Sequence, residues 1–385
     1  MIPLSPARTA SGTTCATDVA RVLVCDDSAV IRGAVTRLLE NDPGVQVTGH
    51  AANGQLAVDA VKRQRFDVVV LDIEMPVMDG LTALPLLLQA DPHLRVLMAS
   101  TLTTRGADIA LKALQLGASD YVPKPTVAAI ADDSFRRELL AKVKGLARLR
   151  RREVSPAGTP GVPSPSRAAP LPNLRPVGRE APALLAIGSS TGGPQALFTL
   201  VKALGSGLSV PVVITQHMPA TFIPILAEHL SRLGGMPCIE AREGAALVPG
   251  KITLAAGDRH LLIEGRPGTL RARLSDGPPE NFCRPAVDPM LRSAAAACNG
   301  RVLVAILTGM GHDGRDGTRA VIEAGGTAVA QDEASSVVWG MPGAVTMAGL
   351  VHRVLPIAGI APCLIDLLRT PLARIPTRLG PGGGA

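Results

Sequence analysis

The feature that most constrains this chain is an alternation. Short apolar runs are separated by amphipathic stretches of helical length, and the pattern is broken by the proline-rich stretch 153–182. Before the break, strands are expected at Val22–Cys25, Val45–Gly49, Val68–Leu71, Val96–Ala99 and Asp120–Val122, with helices over 29–40, 54–64, 79–90, 105–116 and 133–152. Such alternation predicts a doubly wound, five-stranded parallel sheet. Uninterrupted apolar strands such as VVVL suit a sheet covered on both faces. After the break, LLAIG, VPVVITQ, KITLAAG, RVLVAILTG and GTAVAQ read as strands, with helices from Pro194, near 221–233 and near 315–324. HLLIEG and TLRARLSDG read as a hairpin inserted into this second α/β domain. The expected organisation is a disordered N-terminus over 1–19 and a first domain over 20–140. A basic helix end and proline-rich linker follow over 141–182, then a second domain over 183–372 and a disordered tail over 373–385.

In an open parallel sheet, sites form beyond the carboxyl ends of the strands. The first predicted strand runs into Asp26 and Asp27, and the third into Asp72. One such acid is usually a helix cap. Three at neighbouring strand ends repel one another unless a cation sits among them, and an all-oxygen set suits Mg²⁺. Ser100 ends the fourth strand, and Tyr121 and Lys124 lie at the fifth; Lys124 could reach the acids and grip a phosphoryl group.

These residues, in VVVLDIEMPVMDG, LMAST and DYVPKP, give residues 21–140 a clear similarity to the two-component response-regulator receiver family. The resemblance implies that Asp72 accepts a phosphoryl group from a chemotaxis histidine kinase. It also implies Mg²⁺ held by Asp27, Asp72 and the main-chain carbonyl of Glu74 with help from Asp26, and Ser100 and Tyr121 as a switch pair with Lys124 beside them.

In the second domain, Gly188-Ser189-Ser190-Thr191-Gly192 fits G-x-S-x-G, which puts Ser190 on a sharp strand-to-helix turn. The helix behind it offers main-chain N–H groups to an oxyanion. A phosphate or dinucleotide loop is the weaker reading, because the G-x-G-x-x-G spacing and the P-loop lysine are both missing. A serine nucleophile needs a base and an orienting acid. His217 follows one strand, and LTGMGHDGRDG supplies His312, Asp313 and Asp316 after another; the pattern leaves both pairs of alternatives open. His229 and His260 sit in helix and hairpin patterns. A Ser, His, Asp chain order differs from the orders of the α/β-hydrolases, chymotrypsin and subtilisin.

The motifs AIGSSTGG, ITQHMP, NFCRPAVDPM and LTGMGHDG give residues 183–370 a resemblance to the catalytic domain of the CheB protein-glutamate methylesterase family. The resemblance implies Ser190, His217 and Asp313 as the triad, and esterase and glutamine-deamidase action on methyl-accepting chemotaxis receptors. Its catalytic domain needs no metal. Main-chain N–H groups at Thr191 and Met310 are the candidates for an oxyanion hole. Ser189 stands where the family more often has alanine. Arg284 could steer toward acidic receptor helices or simply serve as a structural pair.

Composition narrows the alternatives. Apolar residues make up 46%, which excludes general disorder, and no apolar run approaches the ~18 residues of a membrane span. No signal peptide is visible. Six scattered cysteines, Cys15, Cys25, Cys238, Cys283, Cys298 and Cys363, read as reduced thiols in a cytoplasmic protein. The net charge of +7 is matched by residues 136–152 alone, which hold eight Lys/Arg and one Glu. That segment is a basic helix with the option of docking an acidic partner. The competing reading, a response regulator with a nucleic-acid-binding or non-catalytic output domain, finds no helix-turn-helix and no basic output surface. Only seven aromatics are available for stacking bases.

Overall fold

The computed structural model describes residues 19–101, 103–124, 133–154 and 174–369. Apart from Val19, the expected disordered ends lie outside these residues. In the N-terminal domain β1 (Ala20–Cys25), β2 (Val45–Ala51), β3 (Val68–Asp72), β4 (Arg95–Ser100) and β5 (Asp120–Pro123) pair in parallel, in the order β2-β1-β3-β4-β5. Helices α1 (Ala29–Glu40), α2 (Gly54–Arg63), α3 (Gly80–Ala90) and α4 (Thr104–Gln115) connect them. Ser28, Asn53, Asp79 and Thr103 each cap the following helix through a side-chain oxygen. The capping role considered for Asp26 or Asp27 therefore falls to Ser28. The order reverses between β1 and β3, which brings Asp26, Asp27 and Asp72 to one crevice.

Helix α5 (Asp133–Val154) is one element, although the sequence boundary at 140 cuts through it. Its apolar stripe, Phe135, Leu139, Val143, Leu146 and Ala147, packs under the first sheet with Val22, Val68 and Leu97. Its cations are matched within the chain. Lys144 pairs with Asp42 at 3.0 Å, Arg150 with Asp91 at 2.7 Å, and Arg148 with Glu333 at 2.8 Å. Part of the local charge excess is thus taken up by intramolecular pairing.

The C-terminal domain is a seven-stranded parallel sheet. Its order is β14 (Arg353–Leu355), β13 (Thr327–Gln331), β12 (Val302–Ile306), β6 (Leu184–Ser189), β7 (Val212–Gln216), β9 (Ile252–Leu254), β8 (Cys238–Glu240). The expected hairpin is the antiparallel pair β10 (His260–Glu264) and β11 (Arg271–Ser275). Covering helices are α6 (Gly193–Leu204), α7 (Ile223–Gly234), α8 (Val287–Ala297), α9 (Arg315–Glu323), α10 (Met341–Met347) and α11 (Ile357–Arg369). The first strand of the domain, β6, is central, and the chain leaves it toward β7 on one side and returns as β12 on the other. The crevice at this reversal is where Ser190, His217 and Asp313 emerge.

Residues 174–182 do not behave as free linker. Arg175 N donates to Val351 O at 2.9 Å, Gly178 N donates to Thr327 Oγ1 at 2.9 Å, and Arg301 Nε donates to Ala181 O at 3.1 Å. They form an irregular strap on the second domain, held by main-chain hydrogen bonds that no side-chain periodicity reveals.

The two domains share one apolar core. Ala107, Ala110 and Leu111 of α4 join Phe222, Ile223, Leu226 and Leu197 in a single buried cluster. On the other side, α5 approaches the loop at Val337 so closely that a Cβ on Gly145 would lie 2.0 Å from Val337 O.

Candidate active site and phosphoacceptor site

The acidic crevice of the first domain brings carboxylate oxygens of Asp26, Asp27 and Asp72 within 4.8 Å of one another. Lys124 Nζ lies 2.7 Å from Asp72 Oδ2 and 3.6 Å from Asp26 Oδ2. Burial raises the Asp72 carboxyl to about 6 against the opposing pull of Lys124, and burial also raises Asp26. Two reluctant anions with one ammonium leave a site that a divalent cation would complete. Glu74 is exposed two residues beyond Asp72, on the same loop. Ser100 is buried, and its hydroxyl donates to Gly106 O at 2.8 Å. Tyr121 is buried against the other domain, stacked on Phe222 with ring centroids 4.7 Å apart and planes at 16°.

In the second domain, Ser190 follows β6 directly. Its N–H donates to Thr308 O at 3.0 Å, and its carbonyl accepts from Gly193 N at 2.8 Å and Gln216 Nε2 at 2.9 Å. Gly192 completes the turn at φ 73°, a left-handed conformation that costs glycine little. The neighbouring Ser189 is fully buried and donates to Gln216 Oε1 at 2.7 Å, so of the two serines only Ser190 faces the cleft.

His217 follows β7, and its Nε2 lies 2.7 Å from Asp313 Oδ2. Asp313 is almost wholly buried and accepts from Val287 N at 2.6 Å, Asp288 N at 3.1 Å and Asn281 Nδ2 at 3.0 Å. The start of α8 therefore cradles the carboxylate. Burial alone would raise Asp313, but His217 and these N–H donors hold it below its ordinary value. Burial likewise opposes charge on His217, yet Asp313, and to a lesser degree Cys283, raise the imidazole above its ordinary value. With Nε2 committed to Asp313, Nδ1 is the remaining ring nitrogen, and it meets the Cys283 thiol at 3.4 Å.

The alternatives left open by the sequence separate cleanly. Asp316 is exposed and pairs with Arg315 at 3.0 Å, and His312 is exposed at the cleft rim. His260 is tied to Pro278 O and Ala286 N, and His229 is buried 3.9 Å from Asp108 across the domain boundary. Arg284 binds Asp276 O and Gly277 O, a clamp between loop and hairpin. Thr191 and Met310 both line the cleft. The pattern gave no role to Gln216, Asn281 or Cys283. Only Asn281 carried a local signal, as a residue type that tolerates a left-handed turn.

The cleft has a volume of about 580 Å³, and the receiver-like domain forms part of its wall through Asp120, Tyr121, Arg137, Glu138 and Lys142. Asp120 and Lys142 are both buried, 3.2 Å apart. Asp120 also accepts from Gly192 N at 3.0 Å, and Lys142 Nζ lies 5.0 Å from the Tyr121 ring centroid.

Comparison with known proteins agrees with this division. The response regulator receiver domain family matches residues 22–132, and the CheB methylesterase family matches residues 185–364. A protein-glutamate methylesterase/protein-glutamine glutaminase of Paramagnetospirillum magneticum is 53% identical over 371 residues, covering 91% of this chain and 97% of the relative. The chain belongs to the CheB methylesterase family. A second relative of that name, from Rhodospirillum centenum, is 52% identical over 383 residues, covering 93% of this chain and 96% of its own length. The crystal structure of the Thermotoga maritima CheB methylesterase catalytic domain, 37% identical, covers 49% of this chain and 100% of its own, with a TM-score of 0.47. The two family matches and the two parallel sheets give this chain a receiver followed by an α/β esterase domain. No helix among the described residues is long and apolar enough to cross a membrane.

Proposed function

We propose that this chain is a phosphorylation-controlled protein-glutamate methylesterase, with glutamine-deamidase activity, acting on methyl-accepting chemotaxis receptors. The observation that carries the reading is the pairing of half-buried His217 with buried Asp313 beside the Ser190 turn, in a cleft walled by the receiver.

In this mechanism Ser190 Oγ attacks the γ-carbonyl carbon of the glutamate methyl ester while its proton passes to His217 Nδ1. Asp313 accepts the Nε2–H bond and stabilises the imidazolium, a role that its set of N–H donors maintains by keeping it ionised. Main-chain N–H groups at Thr191 and Met310, residues that both line the cleft, are the candidates to receive the oxyanion. His217 then returns the proton to methoxide, methanol leaves, and a water activated by the same nitrogen cleaves the acyl-enzyme. For a glutamine substrate the leaving group is ammonia.

In the receiver, Asp72 is the phosphoacceptor for a histidine kinase, with Lys124 beside it. Asp26, Asp27 and Asp72 would hold Mg²⁺, aided by the Glu74 carbonyl, and the ion would offset charge on the transferring phosphoryl oxygens. Ser100 and Tyr121 form the switch. Because Tyr121 is stacked on Phe222, a phosphorylation-driven change at that side chain acts directly on the domain contact.

The test is methanol release from methylated receptor membranes, with and without an acyl phosphate as phosphodonor, combined with mass-spectrometric trapping of the acyl-enzyme. Release that rises with the phosphodonor and an adduct on Ser190 are expected. A chain that forms no adduct and releases no methanol is not an esterase.

A further inference from the structure

Beside the cleft, the segment 280–283 makes a tight turn that lacks the residue it favours. Glu280 and Cys283 pair through both main-chain bonds, Glu280 N to Cys283 O at 3.1 Å and Cys283 N to Glu280 O at 2.9 Å. The two residues between them are both left-handed, Asn281 at φ 52° and Phe282 at φ 63°. Two-residue turns with positive φ at both positions prefer Asn-Gly, because only glycine is unstrained at the second place.

Asn281 has an internal reason for its conformation. Its Nδ2 donates to Asp288 Oδ2 at 2.9 Å and to Asp313 Oδ1 at 3.0 Å, so it braces the triad acid. Phe282 has none. Its side chain is fully solvent-exposed, at 102%, even with the receiver in place. The turn beneath it is rigid, since Arg292 grips Glu280 at 2.6 and 2.8 Å. A bulky aromatic in a glycine position, held in water on a braced turn, lies on the lining of the Ser190 cleft together with Met218, Pro219 and Met310.

We propose that Phe282 is a specificity-determining residue that packs against the apolar surface of the substrate polypeptide next to the esterified glutamate. This rests on the methylesterase reading and extends it. The triad handles the ester, and Phe282 selects an ester carried on a folded protein segment over a free small one. An exposed aromatic on a braced turn is suited to this, because a side chain with only two rotatable bonds loses little freedom when it is covered.

The experiment uses the full chain with an acyl phosphate, and two substrates, methylated receptor membranes and p-nitrophenyl acetate. Phe282→Ala should lower kcat/KM on receptor membranes about tenfold, mostly through KM, while leaving p-nitrophenyl acetate hydrolysis unchanged. Phe282→Gly should lose the same receptor activity yet melt at a higher temperature than the wild type, a combination that a structural role would not give. Phe282→Leu should restore part of the receptor activity. Receptor rates unaffected by Phe282→Ala, or a parallel fall on both substrates, would overturn the proposal. A wild type that cleaves p-nitrophenyl acetate but releases no methanol from membranes would overturn the methylesterase reading itself, and the proposal with it.

Discussion

Asp120, the first residue of β5 in the receiver, accepts a 3.0 Å hydrogen bond from the main-chain N–H of Gly192, two residues past Ser190. The carboxylate is buried, carries the Lys142 ion pair, and adjoins Tyr121 in sequence. One receiver side chain therefore touches the turn that carries Ser190 and sits next to the proposed switch tyrosine. On the proposed reading, substrate access and receiver docking compete for the same cleft wall.

That competition predicts variants that open the cleft without phosphorylation. Asp120→Ala deletes the acceptor of the Gly192 N–H, a bond that crosses the domain contact, and takes one of two carboxylate partners from buried Lys142, leaving Glu138 at 3.0 Å. A buried N–H left without its acceptor costs ~1–3 kcal/mol, and this cost falls on docking because the bond exists only in the docked state. Gly145→Ala acts at a second point, where its Cβ would collide with Val337 O. Both should raise the unphosphorylated rate of methanol release several-fold or more. Unchanged basal rates in both variants, with folding verified by circular dichroism, would mean that the contact does not limit activity.

The two serines of the turn should differ sharply. Ser190→Ala removes the proposed nucleophile and is expected to abolish methanol release with little effect on melting temperature. Ser189→Ala removes the bond to Gln216 Oε1 but leaves Gln216 Nε2 on the Ser190 carbonyl, so it should retain most activity. The reverse pattern in a side-by-side assay would reassign the nucleophile.

The pH profile tests the His217–Asp313 pair. In the proposed mechanism His217 works as a neutral base, so activity should rise as pH climbs through its pKa. Asp313 raises that pKa, so the wild-type acid limb should lie on the alkaline side of an ordinary histidine near 6.5. Asp313→Asn removes the charge that favours imidazolium, so the limb should move to lower pH while kcat falls by orders of magnitude. Asp316→Asn, on an exposed pair, should do much less. Equal mild effects at both positions, with no shift of the limb, would count against Asp313.

Much of this site was legible because strand ends are legible. VVVL before Asp72, VVITQ before His217 and LLAIGS before Ser190 mark both the buried strand and the residue that leaves its carboxyl end. The brackets around those residues were not. Gln216 looks like a strand-ending polar residue until its three bonds are seen, and Asn281 supports Asp313 from 32 positions away in the chain. The strap 174–182 reads as linker because its composition is proline-rich, yet its main-chain groups find partners across the second domain. Charge patterning misled for the same reason in α5, where the matching acids Asp42, Asp91 and Glu333 come from distant elements.

The last prediction concerns phosphorylation. Asp72 must be ionised to attack phosphorus, and burial holds its carboxyl at about 6 in the absence of a cation. Chelating divalent ions with EDTA should therefore suppress phosphorylation by an acyl phosphate, and most strongly below pH 6. In the proposed switch, phosphorylation of Asp72 places new charge beside Lys124, and Ser100 exchanges its bond to Gly106 O for a phosphoryl oxygen. Tyr121 would follow by leaving the Phe222 stack, so that the phosphorylated state would lose a domain contact that the resting state keeps. A bias of ~1.4 kcal/mol is enough to change a rare open population about tenfold. Asp72→Asn should accordingly hold the full chain at its basal rate with phosphodonor present. A fragment of residues 174–385, which keeps the strap and lacks the receiver, should exceed the unphosphorylated full chain. A fragment beginning at 183 should be less stable, because it loses the bonds of Arg175, Gly178 and Ala181. The esterase assay of these chains on receptor membranes decides the matter. A 174–385 fragment slower than the unphosphorylated full chain would rule out inhibition by docking and leave the receiver a role in recruiting substrate.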